Sequence, residues 1–544
     1  MEKLQLTGSL NNRATKLHKS FFKDFSKTLQ VTLMFKRASF FDGSILGKKS
    51  LLTESEVADN KALFTENKTN TATFYNAVKE FAATFHLKIV EWNIEKRRAI
   101  LEGTVADIEK AFEITLDQYD GENNKIHYSY SGMVQVPAVL KEHIAAVLGL
   151  DTRPLEINRL PPKNTLSQVA IQTSGGITAD DAAAPTTTSV PAQFTPATVS
   201  AQQMAELYNF PGDLDGTGQT IGVFELGGGY TQADLTAYFT QYNIKPPVIV
   251  DYPISGATNT PGSSFDEEVT MDIEILAAVA PGAKFVVYFT PNSSAGFIQG
   301  VQEVVSDTVN KPSILSISWG MIESSWTTDE ITAFNEVLED AINAGITVIA
   351  SSGDLGFRDA YNFSPQANVN YPASDPNVLS CGGTMMTLNG NNISQEEAWY
   401  VVPLVGTGGG ISTCFPVPAW QGNAKLPVSI NPEGKAGRGV PDISGNACNY
   451  QLYLHGAATT GSGTSAVVPL WAGLIARCNQ KIGKRVGFIN SMLYSFAITD
   501  QNNAVVPITT GTNGGYAAAD PWGACTGLGR PNGTALLAAL EKEV

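Results

Sequence analysis

The chain has 544 residues, 43% hydrophobic and 16% charged, enough to bury a large core and long enough for two or more domains. Its net charge is −16. No stretch reaches the ~18 apolar residues of a membrane helix, and the opening MEKLQLTGSLNNRATKLHKS lacks the apolar run of a secretory signal, so neither a membrane span nor signal-directed export is expected.

The charge is unevenly held. Residues 1–190 carry 23 Lys and Arg against 22 Asp and Glu, leaving 13 basic and 30 acidic residues for the rest, a net of −17. Phosphate repulsion makes nucleic acid a poor partner for the acidic part. Low pH suits it better, because protonating carboxylates relieves self-repulsion. Five cysteines, Cys381, Cys414, Cys448, Cys478 and Cys525, are few, odd in number and without metal-site spacing, which predicts free buried thiols and at most two disulfides.

In chain order, the first 157 residues read as strand LQVTLMFKR, helix TATFYNAVKEFAATFHL, strands IVEWNI and RAILEGT, helix VADIEKAFEI and strand KIHYSYS. Phe74, Ala77, Val78, Phe81 and Phe85 share one face of the first helix. The order β-α-β-β-α-β predicts a ferredoxin-like α+β module over 1–157. Residues 158–190 turn to Thr, Ala, Pro and Ser without apolar periodicity, as a solvated, cleavable linker does.

From 191 to 544 apolar runs alternate with helical segments: TIGVFEL, a helix near QADLTAYFTQY, PPVIVDY, a helix over 266–280, AKFVVYF, a helix near 295–309, SILSISWG, a helix over 328–344, and ITVIASSG. This predicts an α/β domain with a doubly wound parallel sheet and functional residues at the carboxyl ends of its strands. The Gly-, Pro- and Asn-rich stretch 355–465 is expected to form long surface loops shaping a groove.

One stretch carries chemistry openly. TTGSGTSAVVPLWAGLIARCNQ runs a Gly-Ser-Gly-Thr-Ser-Ala turn into an apolar helix and offers Ser465 as a nucleophile. Its base is not obvious, because four of the five histidines, His18, His86, His127 and His143, lie in the first module. The fifth, His455 in YLHGAATTG, reads as a strand-and-turn residue leading toward the serine; a hairpin could fold it there, but a carboxylate is the better candidate. In SSFDEEVTMDIEILAAVAPG, Ser263 and Ser264 begin a helix on which Glu268 and Asp272 stand four residues apart, close enough to share a proton and split their pKa values. Glu267 and Glu274 fall on other faces, as solvent or supporting groups. Asp354, just past a strand end in ASSGDLG, can donate to an oxyanion only when protonated, which again points to acid pH. An acidic helix start and a turn-capping Asp are the ordinary alternatives for these residues.

Together, VLGLDTRP, IGVFELGGGY, EEVTMDIE, APGAKFVVYFTPN, KPSILSISWG, ASSGDLG, LSCGGT, GRGVPDISGNA, GSGTSAVVPLWAGLIAR and ACTGLGRP resemble, in order and along the whole chain, a sedolisin, the serine-carboxyl peptidases, in its kumamolisin-type precursor form. The resemblance implies a subtilisin-like catalytic domain over 191–544, preceded by a prodomain that acts as inhibitor and chaperone and a linker cleaved around residues 185–192. It implies Ser465 as nucleophile, Glu268 as general base, Asp272 as its partner, Asp354 as oxyanion donor, and Glu225 and Trp319 as supports of the acid pair. Read from the residues alone, Glu225 is equally a strand-end charge and Trp319 a core aromatic.

The resemblance further implies an acid-acting endopeptidase, polypeptide substrates, an extracellular or acidic location and a monomer, with no nucleic acid or membrane partner. A catalytically silent binding protein and a tripeptidyl-peptidase are the alternatives. The family's calcium site is a departure: Pro507 and Gly523 occupy the two expected Asp positions, with Ala519, Asp520, Pro521 and Trp522 between them in the second loop, so no cofactor or metal is expected.

Overall fold

The computed structural model describes residues 2–11, 13, 15–37, 50–66, 71–121, 125–155, 195–360, 366–402 and 405–544. The expected linker 158–190 and the cleavage region around 185–192 lie outside these residues.

Across the central eight-stranded sheet run Val248–Pro253, Lys284–Phe289, Thr220–Glu225, Ile314–Ile317, Thr347–Ser351 and Leu379–Asn389, all parallel, closed by antiparallel Asn392–Ala398; Ile443–Asn446 also pairs with Leu379–Asn389 in parallel. The inner strands read as unbroken apolar runs because both faces are covered. Along KFVVYF the side chains alternate: Phe285, Val287 and Phe289 enter one core with helices Asp266–Val279 and Val467–Ile482, while Val286 and Tyr288 enter the other with Ser294–Ser306 and Thr328–Asn343. A side chain at Gly473 would place its Cβ 2.3 Å from a Val279 methyl carbon, so glycine sets how closely the serine helix approaches the acid helix.

The expectation of loops throughout 355–465 holds only in part. Leu379–Asn389 and Asn392–Ala398 form a hairpin, Ile443–Asn446 joins the sheet, and Tyr450–Leu454 pairs with Ala457–Gly461 in a second hairpin. Their Gly and Asn residues serve tight turns and close strand packing rather than open loop.

In the N-terminal module, Ile144–Leu148, Thr28–Phe35, Arg98–Thr104 and Lys88–Asn93 lie side by side and antiparallel, the fourth-first-third-second order of a ferredoxin-like sheet. The fourth strand is IAAVL, not KIHYSYS. Ile126–Ser131 belongs instead to a three-stranded sheet with Thr115–Asp120 and His18–Lys19. IAAVL lacks alternation because both its faces are buried: Ile144 and Val147 enter the core of this module, and Ala145, Ala146 and Leu148 pack with the C-terminal domain.

Basic residues of this module meet acidic helices across this interface. Arg37 contacts Glu339 at 2.7 Å and Asp340 at 2.7 Å, and Arg97 pairs with Glu336 and Asp340. Lys96 and Arg98 hold Glu303 at 2.6 and 2.9 Å. Burial alone would depress the Arg37 guanidinium, yet Asp340, Glu339 and Glu336 outweigh it and raise it above its usual value. Of the histidines in this module, His18 and His86 are exposed, His127 bonds the Thr152 carbonyl at 2.7 Å, and His143 stacks edge-on to Phe74.

Candidate active site

Three neighbouring parallel strands deliver the site at their carboxyl ends, where an open α/β sheet concentrates function. Thr220–Glu225 ends on Glu225, Ile314–Ile317 is followed by Ser318 and Trp319, and Thr347–Ser351 leads to Asp354. All four of these side chains are buried.

Opposite them lies the helix Asp266–Val279, on which every residue except Glu267 is buried. Such a helix cannot show the one-sided pattern of a surface helix, because it is packed on all sides. It starts differently from the expected serine cap: its N-cap is Phe265, with no side-chain cap bond. Asp266 closes the entry instead, accepting the N–H groups of Gly229 at 3.1 Å, Gly262 at 2.6 Å and Ser263 at 3.2 Å.

Glu268 and Asp272 face the strand ends. The Ser318 hydroxyl lies 2.9 and 2.8 Å from the two Asp272 carboxyl oxygens, and Trp319 Nε1–H donates to Glu225 Oε2 at 2.9 Å. Burial pushes Asp272 well above the usual carboxylate range and Glu268 adds to this, while Ser318 opposes it. Glu225 is raised likewise by burial, then by Asp272 and Glu268, against the donation from Trp319. Carboxyls crowded into one dry site cannot all ionise, so they hold protons in common.

Ser465 sits in the short 3₁₀ turn Thr464–Ala466 that opens into helix Val467–Ile482, and its hydroxyl donates to the Ser318 carbonyl at 3.4 Å. Asp354 Oδ1 accepts the Thr464 N–H at 2.7 Å and its hydroxyl at 2.8 Å, which fastens the oxyanion candidate to the residue before the serine. Gly463 is required between them: its φ is +147°, and a Cβ would come within 2.8 Å of Asp354 Oδ2. The sequence-predicted residues Ser465, Glu268, Asp272, Asp354, Glu225 and Trp319 thus occupy one buried neighbourhood around the ends of these strands.

His455 lies elsewhere, at the tip of hairpin Tyr450–Gly461, with its side chain 59% exposed. Its Nε2 is 3.2 Å from Asp266 Oδ2, and its backbone N–H donates to Asp234. Glu274, expected as a solvent or supporting group, is fully buried. It accepts the Tyr453 N–H at 3.0 Å, and burial, with Asp234 adding, raises its pKa to about 9. Sequence reasoning also missed Ser318 and Thr464, although their positions, just past a strand end and just before the nucleophile, were signals.

Comparison with known proteins gives the family. A family model described as "Pro-kumamolisin, activation domain" matches residues 60–153, and one described as "Subtilase family" matches 254–501. Kumamolisin of Bacillus sp. (strain MN-32) is 40% identical over 476 residues, 85% of this chain and 82% of that protein. The chain belongs to the sedolisin family. As a sedolisin it is a serine-type peptidase carrying an activation prodomain. Sedolisin of Pseudomonas sp. (strain 101) is 27% identical, covering 79% of this chain and 72% of that protein; tripeptidyl-peptidase sed5 of Aspergillus fumigatus is 26% identical, covering 76% and 73%. The solved structure of Pseudomonas sedolisin, a serine-carboxyl proteinase in complex with pseudo-iodotyrostatin, superposes with a TM-score of 0.59 at 25% identity, spanning 64% of this chain and 99% of that one.

The position at which the resemblance implies a calcium ion holds Pro507 and Gly523. Pro507 brings no carboxylate. The Gly523 carbonyl accepts the Gly527 N–H at 2.8 Å, and a Cβ at Gly523 would lie 2.6 Å from the Ala519 nitrogen, so even an Asp there lacks room. Ile508, Ala518 and Cys525 pack with Ala398 in an apolar cluster beside it. Calcium takes six to eight oxygens, usually with ionised carboxylates among them. The five cysteines are all free thiols, and only Cys414 is exposed.

Proposed function

We propose that this sedolisin is the zymogen of an acid-acting endopeptidase whose serine is activated by a carboxyl pair. Ser465 Oγ attacks the peptide carbonyl carbon while Glu268 takes the hydroxyl proton, sharing the resulting load with Asp272. Protonated Asp354, with main-chain N–H groups, donates to the oxyanion. Glu268 then returns the proton to the leaving amine, and water hydrolyses the acyl-enzyme by the same route. Glu225 and Trp319 hold the acid pair from the sheet side. The observation that carries this reading is the buried neighbourhood of Ser465, which gathers carboxyls while His455 is turned to an exposed hairpin tip.

The prodomain inhibits the enzyme in place, and self-cleavage around residues 185–192 removes it. Ion pairs from Arg37, Lys96, Arg97 and Arg98 to Glu303, Glu336, Glu339 and Asp340 seat it, and its release accompanies activation in acid. Polypeptides are the substrates, and an extracellular or acidic compartment suits the chemistry of a monomer with no nucleic acid or membrane partner. Relatives named tripeptidyl-peptidases make removal of tripeptides the second reading; product lengths from a long unstructured peptide decide between the two.

The test is a shift of the full chain from about pH 7 to about pH 4, followed by mass, beside Ser465→Ala. The parent is expected to lose its prosegment and the variant to stay intact; an intact parent that also cleaves no peptides at acid pH contradicts the reading.

We also propose that this enzyme dispenses with calcium. Chelation followed by equilibrium dialysis is expected to leave no tightly held stoichiometric calcium, with the unfolding temperature unchanged by the chelator. One tightly bound ion per chain, or a fall in that temperature, overturns the proposal.

A further inference from the structure

Ser318 has no part in the chemistry assigned above, yet its hydroxyl touches both halves of it. The side chain is buried one residue beyond the strand Ile314–Ile317. Its Oγ lies within 2.9 and 2.8 Å of the two Asp272 carboxyl oxygens and 3.4 Å from the Ser465 carbonyl oxygen. The Ser318 carbonyl in turn accepts the Ser465 hydroxyl.

A serine hydroxyl carries one proton, which rotates to suit, and lone pairs that accept. Two complete arrangements follow. With Asp272 ionised, Ser318 donates to the carboxylate. With Asp272 protonated, the Asp272 O–H donates to Ser318 Oγ and the Ser318 proton turns to the Ser465 carbonyl. Neither state strands a buried donor, which matters because a buried polar group without a partner is expensive.

We propose that Ser318 is a positioning residue that lets Asp272 gain and lose its proton during turnover, by turning its hydroxyl between Asp272 and the main chain of the nucleophile. The inference rests on the roles proposed for Ser465, Glu268 and Asp272. Ser318 takes up no net proton: what Asp272 gains comes from Glu268 four residues earlier, and returns there. The charged groups that act on one another here include Glu268 and Asp272, on one helix, and Glu225 at the end of the adjoining strand. Trp319, the next residue, holds Glu225 as Ser318 holds Asp272, so one strand end grips two of the three acids.

Ser318→Ala removes the donor that favours ionised Asp272. The acid limb of the kcat/KM profile is expected to move up by about one pH unit and kcat to fall about tenfold, with KM within about twofold of the parent. Ser318→Thr keeps the hydroxyl and restores the limb, even if its added methyl lowers stability. Because self-processing uses the same site, each variant is matured with a trace of tagged parent enzyme, which is then removed. An Ala variant whose acid limb matches the parent overturns the inference, whatever its rate or stability. A Ser465→Ala protein that still turns over peptides overturns the underlying reading instead, so the two failures are distinct.

Discussion

Glu268→Gln will lower kcat/KM about 10³-fold without disturbing the fold, while His455→Gln will stay within about twofold of the parent. Gln keeps the size of Glu but cannot accept the serine proton. Position 268 is buried on a helix held by packing on nearly all sides, so an isosteric neutral amide relieves crowded charge and the protein stays folded. Relief of that crowding is also why stability is expected to hold or rise. His455 is mostly exposed, and among the described residues it makes one imidazole bond to Asp266 and a backbone bond that any residue can make.

The second large effect concerns stability against pH. Glu274 has a pKa of about 9 in the folded chain against about 4.3 unfolded, so the folded state holds the extra proton between these values. Its contribution is therefore complete below about pH 4 and is lost as pH rises toward 9, at a slope near 1.4 kcal/mol per pH unit. Glu225, raised by burial and then by Asp272 and Glu268, and Asp272, raised by burial and then by Glu268, act in the same direction. Urea unfolding of Ser465→Ala, used to prevent self-digestion, is expected to give lower stability at about pH 8 than at about pH 5. Adding Glu274→Gln removes about one proton from that dependence and makes the protein more stable than its parent near pH 8. Parallel stability curves for the two proteins contradict the assignment.

These two groups also mark where sequence stopped being informative. The Glu268 and Asp272 pair was legible because helical spacing alone puts both on one face, and the order of motifs around Ser465 pointed to the family. Glu274 was not, because the helix is buried on nearly every side and periodicity then carries no direction. The alternating strands and helices of the catalytic domain were readable from apolar runs, whereas Leu379–Asn389 was hidden by its Gly-Gly pair. A Cβ at Gly383 would lie 2.7 Å from the Ala447 Cβ, so glycine there answers to close strand packing and not to a loop. The fourth prodomain strand was missed for a related reason: IAAVL is buried by a partner domain that local pattern cannot reveal.

The central claim is that a carboxylate, and not an imidazole, activates Ser465. It is tested most directly by measuring kcat/KM against pH for the matured parent, Glu268→Gln and His455→Gln on one peptide substrate. The account predicts a parent active in acid, a Glu268→Gln enzyme depressed across the whole range, and a His455→Gln profile overlying the parent. Loss of activity in His455→Gln with retention in Glu268→Gln would contradict it.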